Sequence, residues 1–168
     1  MDVDDLKSLY LSELQEICDC EAQIAERLPK VAASAGSAEL RTVIRQHARQ
    51  SMLHWQKLET TLRRHGASPK PGVDMVADAL VRKAGQVMCG MSDPDLRDAA
   101  LIAAVRRVAH HQVAAYSAAE GYAEALDLAI DRQGLLMALQ EEEFTDRRLA
   151  GLQNEVNQLA LLVNPPYY

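Results

Sequence analysis

Four long runs of apolar residues, spaced alternately three and four apart, constrain the fold of this chain more than any other feature. This spacing places each run along one face of an α-helix, which has to bury that face against another element. The predicted helices are 4–34, 37–65, a shorter 73–89, 94–128 and 134–163. Residues 164–168 contain two prolines and are predicted to form a short disordered tail.

The order of these helices predicts an all-α fold, a four-helix bundle with an additional short helix between the second and third long helices. The segment from Gly66 to Pro94 is long enough to carry a crossover between two helical hairpins. With 168 residues and no Gly- or Ser-rich linker, the chain is predicted to be one domain, 1–168.

Charge and cysteine content narrow the function classes. The net charge is −6 and no block of Lys or Arg stands out, which argues against a general nucleic-acid surface. The acidic start is followed by no long apolar run, so neither a secretory signal nor a membrane span is expected. Three cysteines are an odd number and make no disulfide framework, so we expect a cytoplasmic protein.

Polar residues interrupt every long apolar stripe near the middle of its helix. In chain order they are Glu21; His47, Ser51 and His54; Gln112; and Glu142 and Asp146. Carboxylates and imidazoles that converge inside a four-helix bundle are the ingredients of a carboxylate-bridged di-metal site. Such a site needs about six ligands, mostly carboxylates, because two iron- or manganese-like cations require hard anionic oxygens.

A structural interpretation stands beside the metal one. Inward polar residues can form a hydrogen-bonded layer that fixes the register of the helices. An acid at the edge of a helix face can also reach out to water. Periodicity alone leaves these alternatives open.

Segments of all four long helices match, in order, the pattern of one known family. They are 4–10, 13–14 and 20–23; 39–40, 47 and 58–59; 97–104, 108, 110, 114 and 116; and 141–143, 145–146 and 149. These segments resemble the YciE/YciF-like proteins, a ferritin-like family of bacterial stress-associated proteins without an established activity. The resemblance implies a ferritin-like bundle over nearly the whole chain.

Two departures from the family pattern fall at its expected metal ligands. Residues 47–51 read His-Ala-Arg-Gln-Ser where the family usually has His-Leu-Glu-Glu-Thr, and 108–112 read Val-Ala-His-His-Gln where it has Val-Glu-His-Tyr-Glu. By this resemblance, acids remain only at Glu21, Glu142, Glu143 and Asp146. Neutral residues stand at Gln50, Ala109 and Gln112.

Loss of acids on two helices leaves too few carboxylates for two metal ions. We therefore expect a metal-free polar network in which Gln50 or Gln112 donates to Glu21 or Glu142, and no cofactor is favoured. Alternatively, His47 and His54, together with the His110–His111 pair, could join Glu21, Glu142 and Asp146 around one zinc, nickel or iron ion.

Three functions follow from these expectations. The first is a non-enzymatic stress-associated or interaction protein, expected to be a homodimer. The second is a di-metal or mono-metal oxidoreductase that acts on oxygen, peroxide or iron. The third is a bundle that binds a small ligand in its emptied centre.

Overall fold

A computed structural model describes residues 4–69 and 73–163 of the chain. Within these residues there are five α-helices and no strand. The helices are α1 (Leu6–Ser34), α2 (Ala38–Arg64), α3 (Met75–Gly90), α4 (Pro94–Ala125) and α5 (Ala129–Val163). The predicted all-α fold, with a short helix in the crossover, is confirmed.

Local capping residues explain where most of the helices begin. The Asp5 side chain accepts a hydrogen bond from the Ser8 backbone, and the Ser8 side chain accepts one in return. Ser37 caps α2, as predicted. Asp93 caps α4, and Pro94 occupies its first turn, where a missing backbone N–H costs nothing.

The last helix begins earlier than the sequence pattern predicts. We expected a turn between Leu128 and Gly134, but α4 ends at Ala125 and α5 begins at Ala129. The turn is made at Asp127, whose φ of 55° lies in the left-handed region that aspartate tolerates better than most residues. Gly134 lies inside α5 and breaks nothing.

The helices pack as two hairpins that enclose two apolar clusters. α1 packs closely along α2, and α4 along α5, whereas α2 and α5 touch far less. The larger cluster includes Leu28, Ile44 and Val105 and also receives α3. The smaller one includes Leu14 and Leu62 and lies nearer the start of α1. Between these two clusters, the middle of the bundle is left for polar side chains.

No helix within the described residues is both long and apolar enough to span a membrane. The predicted tail, 164–168, lies outside the described residues.

Candidate polar centre

Six polar side chains and one tyrosine meet at the level between the two apolar clusters. Each is at most 2% exposed, and the set, called the polar centre below, is Glu21, His47, Ser51, His54, Gln112, Tyr116 and Glu142. All four long helices contribute to it, because these residues sit on the buried faces of α1, α2, α4 and α5. Buried polar groups of this kind have to be paired with one another.

Glu21 is the acceptor for donors from two other helices. Tyr116 donates its hydroxyl to Glu21 Oε1 over 2.6 Å, and Gln112 donates its amide to Glu21 Oε2 over 2.9 Å. His54 Nδ1 lies 3.2 Å from Glu21 Oε1. The Gln112 amide oxygen accepts a hydrogen bond from His47 Nε2 over 2.8 Å. Glu21 is thus satisfied largely by neutral donors.

Glu142 is held by charge rather than by aligned hydrogen bonds. Its Oε2 lies 3.0 Å from His47 Nε2, and its Oε1 lies 3.4 Å from His54 Nδ1. Among the described residues, neither oxygen of Glu142 has a partner in hydrogen-bond geometry, and neither does His47 Nδ1. The two imidazoles therefore compensate Glu142 mainly as nearby positive charges.

For His47, His54 and Glu142, burial and the neighbouring charges shift the pKa in opposite directions. Burial favours the neutral ring of His54, but Glu142 and Glu21 outweigh it and raise its pKa to about 10. The pKa of His47 is raised for the same reasons, against its complete burial. Burial opposes ionisation of Glu142 too, yet the histidines lower its pKa to about 2. Burial and Glu21 together raise the pKa of Tyr116 well above its usual value.

One of the two acids predicted to face inward on α5, Asp146, points elsewhere. Asp146 is partly exposed and pairs with Arg106 Nε over 2.8 Å and with His110 Nε2 over 3.1 Å. Thr145 is buried instead, because the buried face of α5 continues three residues after Glu142, at Thr145, and not four residues after it, at Asp146.

Glu143 lies on the outer side of α5, with its side chain 45% exposed and 3.6 Å from Arg147.

The three neutral positions also differ among themselves. Gln112 and Ala109 are fully buried, but Gln50 is only partly buried, so Gln112 alone donates to a central acid.

Glu141 and Tyr116 were not predicted as site residues, but Tyr116 belongs to the polar centre and Glu141 contacts it. Glu141 Oε2 lies 2.7 Å from His54 Nε2, with its side chain 39% exposed. Tyr116 follows Gln112 by four residues, so helical spacing could have placed it on the same face. Glu141 precedes Glu142 directly, and periodicity assigns it to a different face.

Three side chains of the polar centre lie close enough together to hold one metal ion. Ligand atoms of Glu21, His54 and Glu142 all lie within 4.8 Å of one another. Neither oxygen of Glu142 accepts a hydrogen bond from the described residues, so a cation could bind them if it displaced the ring proton of His54. The centre has two fully buried carboxylates, Glu21 and Glu142, whereas a di-metal site uses about six ligands that are mostly carboxylates.

A groove of about 490 Å³ runs between α2 and α5, which pack against each other far less than α1 against α2 or α4 against α5. Its lining includes His54 and Tyr116 together with Leu53, Leu135 and Ile130. The groove reaches the edge of the polar centre. The ligand cavity that the sequence suggested was expected inside the polar centre itself.

The bundle and its buried acid–histidine centre define a ferritin-like helical protein. Residues 5–161 match the family described as "Domain of unknown function (DUF892)". The chain belongs to that family.

The chain also matches YciF-like proteins. It is 25% identical over 162 residues to protein YciF of Escherichia coli strain K12, covering 95% of this chain and 98% of that protein. The crystal structure of the E. coli stress protein YciF superposes with a TM-score of 0.88 at 22% identity, over 93% of this chain and 99% of that one. YcfI of Rhodopseudomonas palustris, proposed as a structural protein, superposes with a TM-score of 0.84 at 25% identity, over 89% and 95% of the two chains. The resemblance to the YciE/YciF-like proteins is confirmed.

Proposed function

We propose that this protein is a non-enzymatic, stress-associated bundle in which a self-neutralised polar network replaces a di-metal centre. The observation that carries the proposal is the charge balance of the polar centre. Two fully buried carboxylates, Glu21 and Glu142, face two buried imidazoles, His47 and His54, whose raised pKa values favour the charged rings. The acids are therefore compensated by the protein itself.

The neutral partners support the same role. Gln112 bridges His47 and Glu21, and Tyr116 donates to Glu21, so the network ties α1, α2 and α4 together at one level. Buried networks of this kind can fix which helices pair and in what register. The description of YciF as a stress protein, and of YcfI as a proposed structural protein, agrees with a role of this class.

Metal analysis of protein purified without chelator tests the proposal. We expect iron and manganese well below one ion per chain, with no change in Glu21→Gln. Two iron or manganese ions per chain that disappear in Glu21→Gln would overturn it, since that result requires a working di-metal centre.

A second candidate is a mono-metal oxidoreductase. It is favoured by the proximity of Glu21, His54 and Glu142 and by the unbonded oxygens of Glu142. One redox-active ion per chain that depends on both Glu142 and His54 would support it over the metal-free network. Arg106→Gln is a control, because Arg106 binds Asp146 outside the polar centre.

We further propose a cytoplasmic homodimer. The three cysteines are unpaired, as in a reducing compartment. Met137 and Phe144 are each about half exposed and lie seven residues apart on one side of α5, which gives an apolar surface for a second copy. Sedimentation velocity should show a dimer that Phe144→Glu converts to monomer, and a wild-type monomer would contradict this assembly.

A further inference from the structure

A second cluster of metal-binding side chains lies outside the polar centre. It joins Cys20 on α1, Asp74 immediately before α3, and His111 on α4. The Sγ of Cys20, a carboxylate oxygen of Asp74 and a ring nitrogen of His111 all lie within 4.8 Å of one another. Sulfur, nitrogen and oxygen donors from three separate helical segments thus meet at one point.

The orientation of Asp74 is already fixed by its neighbours. One carboxylate oxygen accepts from the backbone N–H of Ala77 over 2.8 Å and caps α3. The other lies 2.6 Å from His111 Nε2. The second oxygen and the imidazole therefore meet in a direct contact, and both of these atoms would turn toward a cation bound between them.

Residues of α1 hold the segment before α3 in place. Asp19 accepts hydrogen bonds from the Asp74 backbone N–H over 2.8 Å and from the Gln23 amide over 2.6 Å. Gln23 also donates to the Asp74 carbonyl over 3.2 Å. In metal sites, supporting contacts of this kind orient the residues that bind the ion directly, and they strengthen ion binding.

The cluster is reachable from one side. The His111 side chain is 22% exposed and that of Asp74 is 8% exposed, whereas Cys20 is buried beneath them. An ion can enter past His111 and meet the thiol last. Unlike Cys89, which is exposed, Cys20 is screened from other thiols in solution.

We infer that Cys20, Asp74 and His111 bind one zinc-like divalent cation that fastens the crossover helix α3 to α1 and α4. Zinc takes thiolate, imidazole and carboxylate ligands together, and three protein ligands leave its fourth position open to water. One thiolate and one carboxylate neutralise the charge of the cation. The thiol proton, and the ring proton of His111 when present, leave to solvent.

The movement that this requires is small. Zinc–sulfur bonds of about 2.3 Å and zinc–nitrogen bonds of about 2.0 Å put tetrahedral ligand atoms roughly 3.3 to 3.6 Å apart. For those bond lengths, the distance between Asp74 and His111 has to increase by less than about 1 Å. The Sγ of Cys20 has to move toward the other two ligand atoms by at most slightly more than about 1 Å.

Cobalt titration of the full chain, followed by the sulfur-to-cobalt charge-transfer absorption, tests the inference. We expect one cobalt ion per chain with this band, displaced by zinc. The band should survive in Cys89→Ser and Cys18→Ser, vanish in Cys20→Ser, and require at least about tenfold more cobalt in His111→Gln. Circular dichroism checks that each variant is folded. Should Cys20→Ser not fold, the His111→Gln shift decides the question.

Two results would overturn the inference: no sulfur-to-cobalt band in the wild type, or a band that persists unchanged in Cys20→Ser or His111→Gln. Glu142→Gln should leave the band intact, because Glu142 belongs to the polar centre. The test is therefore independent of the proposed function, which is tested by the iron and manganese content of the protein and its dependence on Glu21.

Discussion

Two buried polar clusters in the same bundle balance their acids differently. In the polar centre, Glu142 is nearly inaccessible, and among the described residues it is compensated by His47 and His54. Near the end of the bundle, Asp131 accepts hydrogen bonds from Tyr10 and His65 and forms an ion pair with Arg64. We call these last four residues the end cluster.

The difference between the clusters lies in where their charges can go. Arg64 in the end cluster is 47% exposed, so its charge keeps contact with water. Burial would favour the neutral form of Asp131, but His65, Tyr10 and Arg64 outweigh it and lower its pKa. Both oxygens of Asp131 are also hydrogen-bonded, unlike those of Glu142. The end cluster is thus a satisfied structural tie, whereas the polar centre holds buried charges without full hydrogen bonding.

The largest effect is expected from breaking the central pair. Glu142→Leu should lower the free energy of unfolding by about 3–5 kcal/mol, because it leaves the charged ring of His47 buried without its carboxylate partner. His47→Leu should also destabilise the protein. The double variant should lose much less than the sum of the two, because apolar groups then replace both partners. Urea unfolding of the four proteins measures this coupling, and strictly additive losses would contradict it.

Alkaline pH should lower the stability of the protein through His54 in the polar centre. The pKa of His54 is raised to about 10, so its charged form stabilises the folded state. That contribution is complete below the unfolded pKa of about 6.5 and is lost as the pH rises toward 10. We expect a decline of roughly 2–4 kcal/mol in the free energy of unfolding between pH 7 and 10. The decline should be much shallower in His54→Gln; equal slopes would show that His54 is not the group responsible.

Breaking the end cluster should have a smaller effect. Asp131→Asn should lower the free energy of unfolding by about 1–3 kcal/mol, because Tyr10 and His65 lose a charged acceptor while Arg64 turns to solvent. Asp127→Asn is the matched control, since Asp127 is exposed and asparagine tolerates its φ of 55°. Thermal unfolding at neutral pH compares the two, and equal losses would remove the special role of Asp131.

The helices could be predicted from sequence because their signals are local. Ser37 and the Asp93–Pro94 pair mark helix starts by their own chemistry. The turn at Asp127 carries no glycine or proline, so the boundary was placed several residues too late. Nothing nearby in the sequence distinguishes this aspartate from one inside a helix.

The site was less accessible to prediction because it depends on rotation and on partners from other helices. One residue along a helix turns a side chain by about 100°, which is enough to exchange Thr145 for Asp146. Periodicity placed Glu142 and Gln112 inside the bundle. The contacts of His54 with Glu21 and Glu141 join residues 33 and 87 positions apart, which only the packed structure brings together.

The smallest effect compares one hydroxyl in each cluster. Tyr116 and Tyr10 are both at most 1% exposed, and each donates to a carboxylate, over 2.6 Å and 2.9 Å respectively. Removing either hydroxyl deletes one charge-assisted hydrogen bond, worth roughly 1.5–3 kcal/mol before the remaining partners adjust. Asp131 keeps Arg64 and His65, so Tyr10→Phe should cost only about 1 kcal/mol.

Glu21 has no arginine or lysine partner in the structure's described range, and Tyr116→Phe leaves it with Gln112 and His54. Tyr116→Phe should therefore be the more destabilising of the two tyrosine variants, by about 0.5–1 kcal/mol in urea unfolding. The order should reverse if the polar centre takes up water in place of the lost hydroxyl, because a bridging water would then satisfy Glu21 as well as the tyrosine did. Parallel measurement of the two phenylalanine variants thus shows whether the centre is as dry as its burial indicates.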